Sequence, residues 1–226
     1  LTCGASAGLA AAFHAPLAGV MFSLEEIHKN FSVSVLISVM TASITADYIS
    51  SQFMGFQSVF QFDIGLEIQP QYYWHIVILG IILGLLGAFY NKVTVWVQSL
   101  YMNQKKLNET TRLLIPFLLA GVLGLVMPEL LGSGHHLIDE AAGGTMVLST
   151  ILFLLAGKFL FSVICFGSGA PGGIFFPLLV LGALIGGAYS TFAAEFMGLD
   201  PSYISNFVLL AMAGYFTAIV RAPITG

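Results

Sequence analysis

The segment Gly167-Ser168-Gly169-Ala170-Pro171-Gly172-Gly173-Ile174-Phe175-Phe176-Pro177 runs directly into the apolar stretch 178–197. Its glycines admit backbone conformations closed to other residues and let main chain approach a ligand closely. Where such a loop turns into a helix, the first N–H groups have no intrahelical partner and the helix end carries about half a positive charge. Here those groups are the amides of Ile174, Phe175 and Phe176, and Pro177 suits the first turn. An anion is the natural occupant, with Gly169, Pro171, Gly172 and Gly173 forming the supporting loop. The segment has no Lys or Arg, so partial charges would hold a halide without trapping it. A plain glycine-rich turn between membrane helices reads the same residues equally well. A nucleotide phosphate loop does not, because Gly-x-x-x-x-Gly-Lys-Ser/Thr is missing.

Glu25 and Glu26 follow a run of apolar residues at the end of a short helical stretch. Acids at a helix C-terminus oppose the macrodipole, so a mere boundary marker explains them poorly, though it stays open. A partly buried carboxyl can exchange a proton near neutral pH, and ionisable residues at membrane depth are functional candidates. Lys158, inside an apolar stretch, is another such candidate; its bland reading is a stem that snorkels to the interface. A metal reading takes Glu25 and His28 at i, i+3 with His135, His136, Asp139 and Glu140. It has one Glu-x-x-His and no His-Glu-x-x-His, and His135 and His136 are expected in a solvated outer loop.

The elements that position these groups must lie in lipid. The 226 residues are 58% hydrophobic and 8% charged, with a mean hydropathy of +0.94. A soluble domain carries about 25% charged residues. Net charge is −4 and the bases are scattered, so nothing points to nucleic acid. Cys3 and Cys165 suggest neither a disulfide framework nor a metal knuckle. Stretches at about 33–51, 72–101, 112–130, 145–166 and 174–197, and a shorter one at 204–220, suit helices crossing about 30 Å of hydrocarbon. Residues 5–13 and 15–27 do not, because His14 and Pro16 interrupt them. Proline disfavours helical geometry at the residue before it, which predicts two half-helices broken between Phe13 and Pro16. Broken helices at membrane depth point to a transport site.

Loop charges alternate: Lys29, then Asp63 and Glu67, then Lys105, Lys106 and Arg112, then Glu129, Asp139 and Glu140. Positive loops stay inside, which puts Lys29 and Lys105 on the cytoplasmic face with Glu26 near it. The run Phe13-His14-Ala15-Pro16-Leu17-Ala18-Gly19 recurs as Val220-Arg221-Ala222-Pro223-Ile224-Thr225-Gly226. Two halves sharing one broken-helix hairpin would account for it. On that reading residues 1–130 close the first half and its junction, and 131–226 open the second. The chain, which opens Leu-Thr-Cys without Met, is then expected to be a slice of a longer protein.

Three of these motifs together resemble the CLC chloride channel and transporter family, in particular its prokaryotic H⁺/Cl⁻ exchangers. Residues 8–19 with Glu25-Glu26 are similar to the paired-glutamate motif. Residues 168–177 resemble the Gly-x-Phe-x-Pro signature and its leading loop, and 221–226 the matching helix start in the second half. The resemblance implies an all-α, polytopic inverted-repeat bundle and chloride transport coupled to proton antiport. It implies chloride on the amides of Ile174 and Phe175, with Phe176 toward an outer position, and proton transfer at Glu26 with Glu25 secondary. Lys158 takes a place where a basic residue would raise the local potential for anions. No cofactor is implied beyond the transported ions, and a homodimer in the cell (plasma or inner) membrane is expected. The serine loop and external glutamate gate of the family fall before residue 1, and its coordinating tyrosine after residue 226. Glu26 favours an exchanger over a passive channel, since channels commonly carry an apolar residue there. The alternative from another class is an intramembrane metalloenzyme.

Overall fold

A computed structural model describes all residues except 30, 56–59, 61–66, 105–107, 171 and 226. Asp63, Lys105, Lys106, Pro171 and Gly226, each singled out above, lie outside the described residues. The chain divides into one unit of Leu1–Gln61 with Val220–Gly226 and another of Phe62–Ile219.

In the first unit, α1 (Thr2–Phe13) and α2 (Pro16–Phe22) meet at the break expected from the Ala-Pro step. His14 ends α1 in a left-handed conformation (φ 51), and Pro16 starts α2, where its missing N–H costs nothing. The two half-helices can fold back on each other because of Gly19. A Cβ there would stand 2.6 Å from the Ser6 carbonyl oxygen and 3.3 Å from the Ala10 nitrogen. Any side chain would push α2 off α1. Helix α3 (Val33–Met54) crosses behind both and packs on them. Its contact face is small and polar: Ser6 hydrogen-bonds Ser43, and Ser50 donates to the Ala11 carbonyl at 3.1 Å. Such groups join helices in lipid, where apolar burial supplies no preference for helix over solvent. Ala10, Leu24 and Val39 are fully buried at the centre.

In the second unit, α4 (Tyr73–Asn103) packs on α7 (Leu148–Gly167), which packs on α8 (Phe175–Phe196). Helix α8 is buried nearly all round. Helix α9 (Ile204–Val220) approaches it at backbone distance. A Cβ on Gly182 would sit 2.8 Å from Ala211 carbonyl oxygen, and one on Gly186 2.8 Å from Val208 Cα. Two glycines four residues apart thus clear a groove for the neighbouring main chain, as small residues do in membrane helix pairs.

Two expectations need correction. The stretch 112–130 is not one crossing: α5 (Glu109–Val126) stops early and Pro128–Leu130 forms a separate 3₁₀ turn. Pro128 forces Met127 out of helical geometry (φ −148, ψ 72). His135 and His136 lie not in a loop but on α6 (His135–Ala142), which buries Leu137, Ile138, Ala141 and Ala142. Among the described residues, five helices are long and apolar enough to cross a membrane.

Candidate functional site

Helix α2 does not end cleanly. It widens into a π-helical turn at Ser23–His28, where the Lys29 N–H reaches the Leu24 carbonyl five residues back at 3.0 Å. Such turns concentrate at functional sites because they re-aim side chains. Glu25 and Glu26 both lie on this one, yet their hydrogen bonding differs.

Glu25 accepts the Ile224 N–H at 3.2 Å on each oxygen, the Thr225 N–H at 3.0 Å and the Thr225 hydroxyl at 2.9 Å. Every partner is a donor, and the carboxyl oxygens accept all of them. Glu26 makes no hydrogen bond or ion pair among the described residues. It faces an open cleft with Leu24, Glu25, Lys29, Phe31, Val220 and Arg221. Both glutamates line this cleft, and only Glu25 is tied down by hydrogen bonds.

Nearby in the same unit, His14 donates from Nδ1 to Asp47 Oδ1 at 3.0 Å, and Ser51 Oγ lies 3.4 Å from the same nitrogen. Asp47 is an acid in the middle of spanning helix α3, and His14 accounts for it. Serine and aspartate meet the same ring nitrogen, so this is no nucleophile-activating triad.

In the second unit, α7 ends at Gly167, where an added Cβ would stand 2.5 Å from Val97. Ser168 then turns the chain: its hydroxyl donates to the Cys165 carbonyl (2.7 Å) and accepts the Ala170 N–H (3.2 Å). Gly169 takes a left-handed φ of 80. Ile174 precedes α8, Phe175 and Phe176 begin it, and the Leu178 N–H closes the first turn onto the Ile174 carbonyl at 3.3 Å. The loop glycines are open: a Cβ on Gly169, Gly172 or Gly173 would meet nothing within 4 Å. Phe175 is seated by an edge contact with Phe216, ring centroids 4.8 Å apart.

Lys158 is buried at 4% exposure and does not snorkel. Its ammonium donates to the carbonyls of Leu130 (2.9 Å), Leu131 and Gly132 (3.4 Å each), the turn that follows α5. The residues of the metal reading do not converge. His135 pairs with Asp139 at 3.2 Å and His136 with Glu140 at 3.3 Å along α6. Among the described residues no three His, Cys, Asp or Glu side chains gather as a metal site.

With this geometry established, comparison with known proteins decides the family. The family described as voltage gated chloride channel matches residues 1–226. The chain belongs to the CLC family. Among its CLC relatives, the H(+)/Cl(-) exchange transporter ClcA of Vibrio vulnificus (strain YJ016) is 36% identical over 238 residues, covering 100% of this chain and 50% of the relative. ClcA of Cronobacter sakazakii (strain ATCC BAA-894) is 35% identical over 231 residues, again covering 100% and 50%. The crystal structure of a slow cyanobacterial Cl-/H+ antiporter superposes with a TM-score of 0.88 at 27% identity, covering 99% of this chain and 53% of that one. The chain thus spans about half the length of the CLC proteins it matches. Its all-helical architecture and its spanning helices make it a multi-pass membrane protein of CLC type.

Proposed function

We propose that the full-length protein exchanges chloride for protons across a membrane, with the two ions handled by different groups. Chloride is held by the main-chain amides of Ile174, Phe175 and Phe176 at the N-terminus of α8, shaped by Gly169, Pro171, Gly172, Gly173 and Pro177. Partial charges at a helix start suit a halide that must also leave. A proton needs a titratable carrier, and Glu26 is that carrier. The observation that carries this reading is the contrast within the glutamate pair: both line one cleft, but among the described residues Glu26 has no hydrogen-bond partner whereas Glu25 is engaged. The exchangers similar over the whole chain support it. We further read residues 1–130 and 131–226 as parts of two repeat halves, no cofactor as required beyond the transported ions, and the protein as a homodimer rather than an enzyme.

The test uses the full-length protein in liposomes, with chloride and proton fluxes recorded separately. Wild type should drive protons uphill on a chloride gradient. Glu26→Gln keeps size and hydrogen bonding but cannot titrate, so it should move chloride without protons. Undiminished proton pumping by the variant would overturn the assignment of Glu26. A second reading, a passive chloride channel, takes its support from the family's own description. It prevails if wild type moves chloride with no coupled protons.

A further inference from the structure

The second glutamate has an occupation of its own. Glu25 sits in the π-helical turn that closes the first broken-helix hairpin, and its carboxylate binds the beginning of the second copy of the same motif. Pro223 has no N–H, so Ile224 and Thr225 carry the first two amides after it, and Glu25 takes both. The Thr225 hydroxyl adds a third donor at 2.9 Å. The segment gripped this way follows Val220 and Arg221, which line the cleft that Glu26 faces.

We infer that Glu25 is a positioning residue: it pins the 221–225 turn against the glutamate turn and so sets the cleft through which Glu26 meets water. This rests on the reading of Glu26 given above, and it removes Glu25 from the proton path. Three donors already occupy Glu25, most of them on Oε2, and protonating it would set an O–H among N–H and O–H groups. The charge is structural: two main-chain amides and a hydroxyl are satisfied at once, where each left alone would need water.

The inference separates from a carrier role by its partner. Thr225 cannot carry a proton across an apolar interior, yet it should share the phenotype of Glu25. In liposomes bearing the full-length protein, Glu25→Ala and Thr225→Val should both lower proton flux relative to chloride flux, by several-fold for Glu25→Ala. The double variant should be no worse than Glu25→Ala, because both remove one contact. Glu25→Gln retains an acceptor oxygen for Thr225 and should restore part of the proton flux. A carrier predicts the reverse: Glu25→Gln as damaging as Glu25→Ala, and Thr225→Val silent. That pattern overturns the inference.

A second measurement does not depend on transport at all. In a background with every native cysteine of the full-length protein replaced, Cys3→Ser and Cys165→Ala among them, a cysteine introduced as Ile224→Cys keeps the clamped amide and reports on the turn. Its labelling rate with a water-soluble maleimide should rise several-fold in Glu25→Ala and by less in Thr225→Val. Equal rates in all three backgrounds would refute the clamp even if coupling were as proposed. A raised rate in a protein that proves to be a channel would uphold the clamp and sink only the reading of Glu26.

Discussion

His14 and Arg221 both take a positive φ at matching places in the two copies of the internal repeat, 51 and 62. Each directly follows a helix, α1 or α9, and each precedes Ala-Pro. Side-chain residues rarely adopt this left-handed region, and such positions persist only where surroundings over-determine them. At His14 the surroundings are visible: Asp47 takes the imidazole N–H. Asp47→Leu should therefore cost about 1–3 kcal/mol, the penalty for stranding a part-buried polar group, while Asp47→Asn should cost less. Thermal unfolding of the full-length protein in detergent measures both. Equal loss in the two variants would show that the ring's partner is not what holds the break.

Gly173 offers a clean test of the anion site. A Cβ there meets no protein atom within 4 Å, so Gly173→Val should fold. The added volume would instead intrude on the space before the first turn of α8. Isothermal titration of the full-length variant with chloride and bromide should show binding weakened by at least about tenfold, or 1.4 kcal/mol. Wild-type affinity would remove this loop from the site.

Lys158 should matter to folding. Its three carbonyl partners belong to the Leu130–Gly132 turn, and replacing it with Met strips the buried Leu130 carbonyl and two part-buried neighbours of their donor. Lys158→Met is expected to lower stability by about 1–3 kcal/mol. If it instead changes chloride affinity at unchanged stability, the ammonium acts on the anion and the carbonyl bonds are incidental.

Gly186→Leu should be the most damaging of these changes. The first added carbon would already lie 2.8 Å from Val208 Cα and 2.9 Å from Phe207 carbonyl oxygen, neither of which can yield. Overpacking typically costs about 1–3 kcal/mol, and a backbone neighbour leaves no rotamer to relieve it. Gly80→Leu, on the same unit but with open space around its Cβ, should be tolerated. Detergent-solubilised yield and melting temperature of the full-length pair decide the matter.

Much of the architecture could be read before any coordinates. The break at His14 follows from one Ala-Pro step, and the long crossings from unbroken apolar length. The short helix α6 was hidden because eight amphipathic residues between loops carry too little periodic signal, and its two histidines suggested a loop. The early end of α5 was legible in Pro128, which the apolar count ran past. Within the glutamate pair, the family motif favours Glu26 for proton transfer and, with no hint of a clamp, makes Glu25 secondary. Its partners Ile224 and Thr225 lie at the far end of the chain, and no local pattern announces them. For Lys158 the sequence offers a snorkelling stem or a charge near the anion path, whereas its partners are carbonyls of a turn elsewhere in the chain.

The glycine groove between α8 and α9 bears on how such a protein is made. Helices meeting through large apolar side chains gain nothing by leaving lipid for each other, since lipid tails are equally apolar. A pair that interlocks main chain to main chain gains close contact that lipid cannot imitate. Helices α8 and α9 are joined by the short link around Asp200, whose carboxylate caps the 3₁₀ turn Pro201–Tyr203 through the Ser202 N–H at 2.9 Å. They are thus equipped to enter the bilayer as one hairpin during synthesis and to wait there, already paired, for the rest of the bundle.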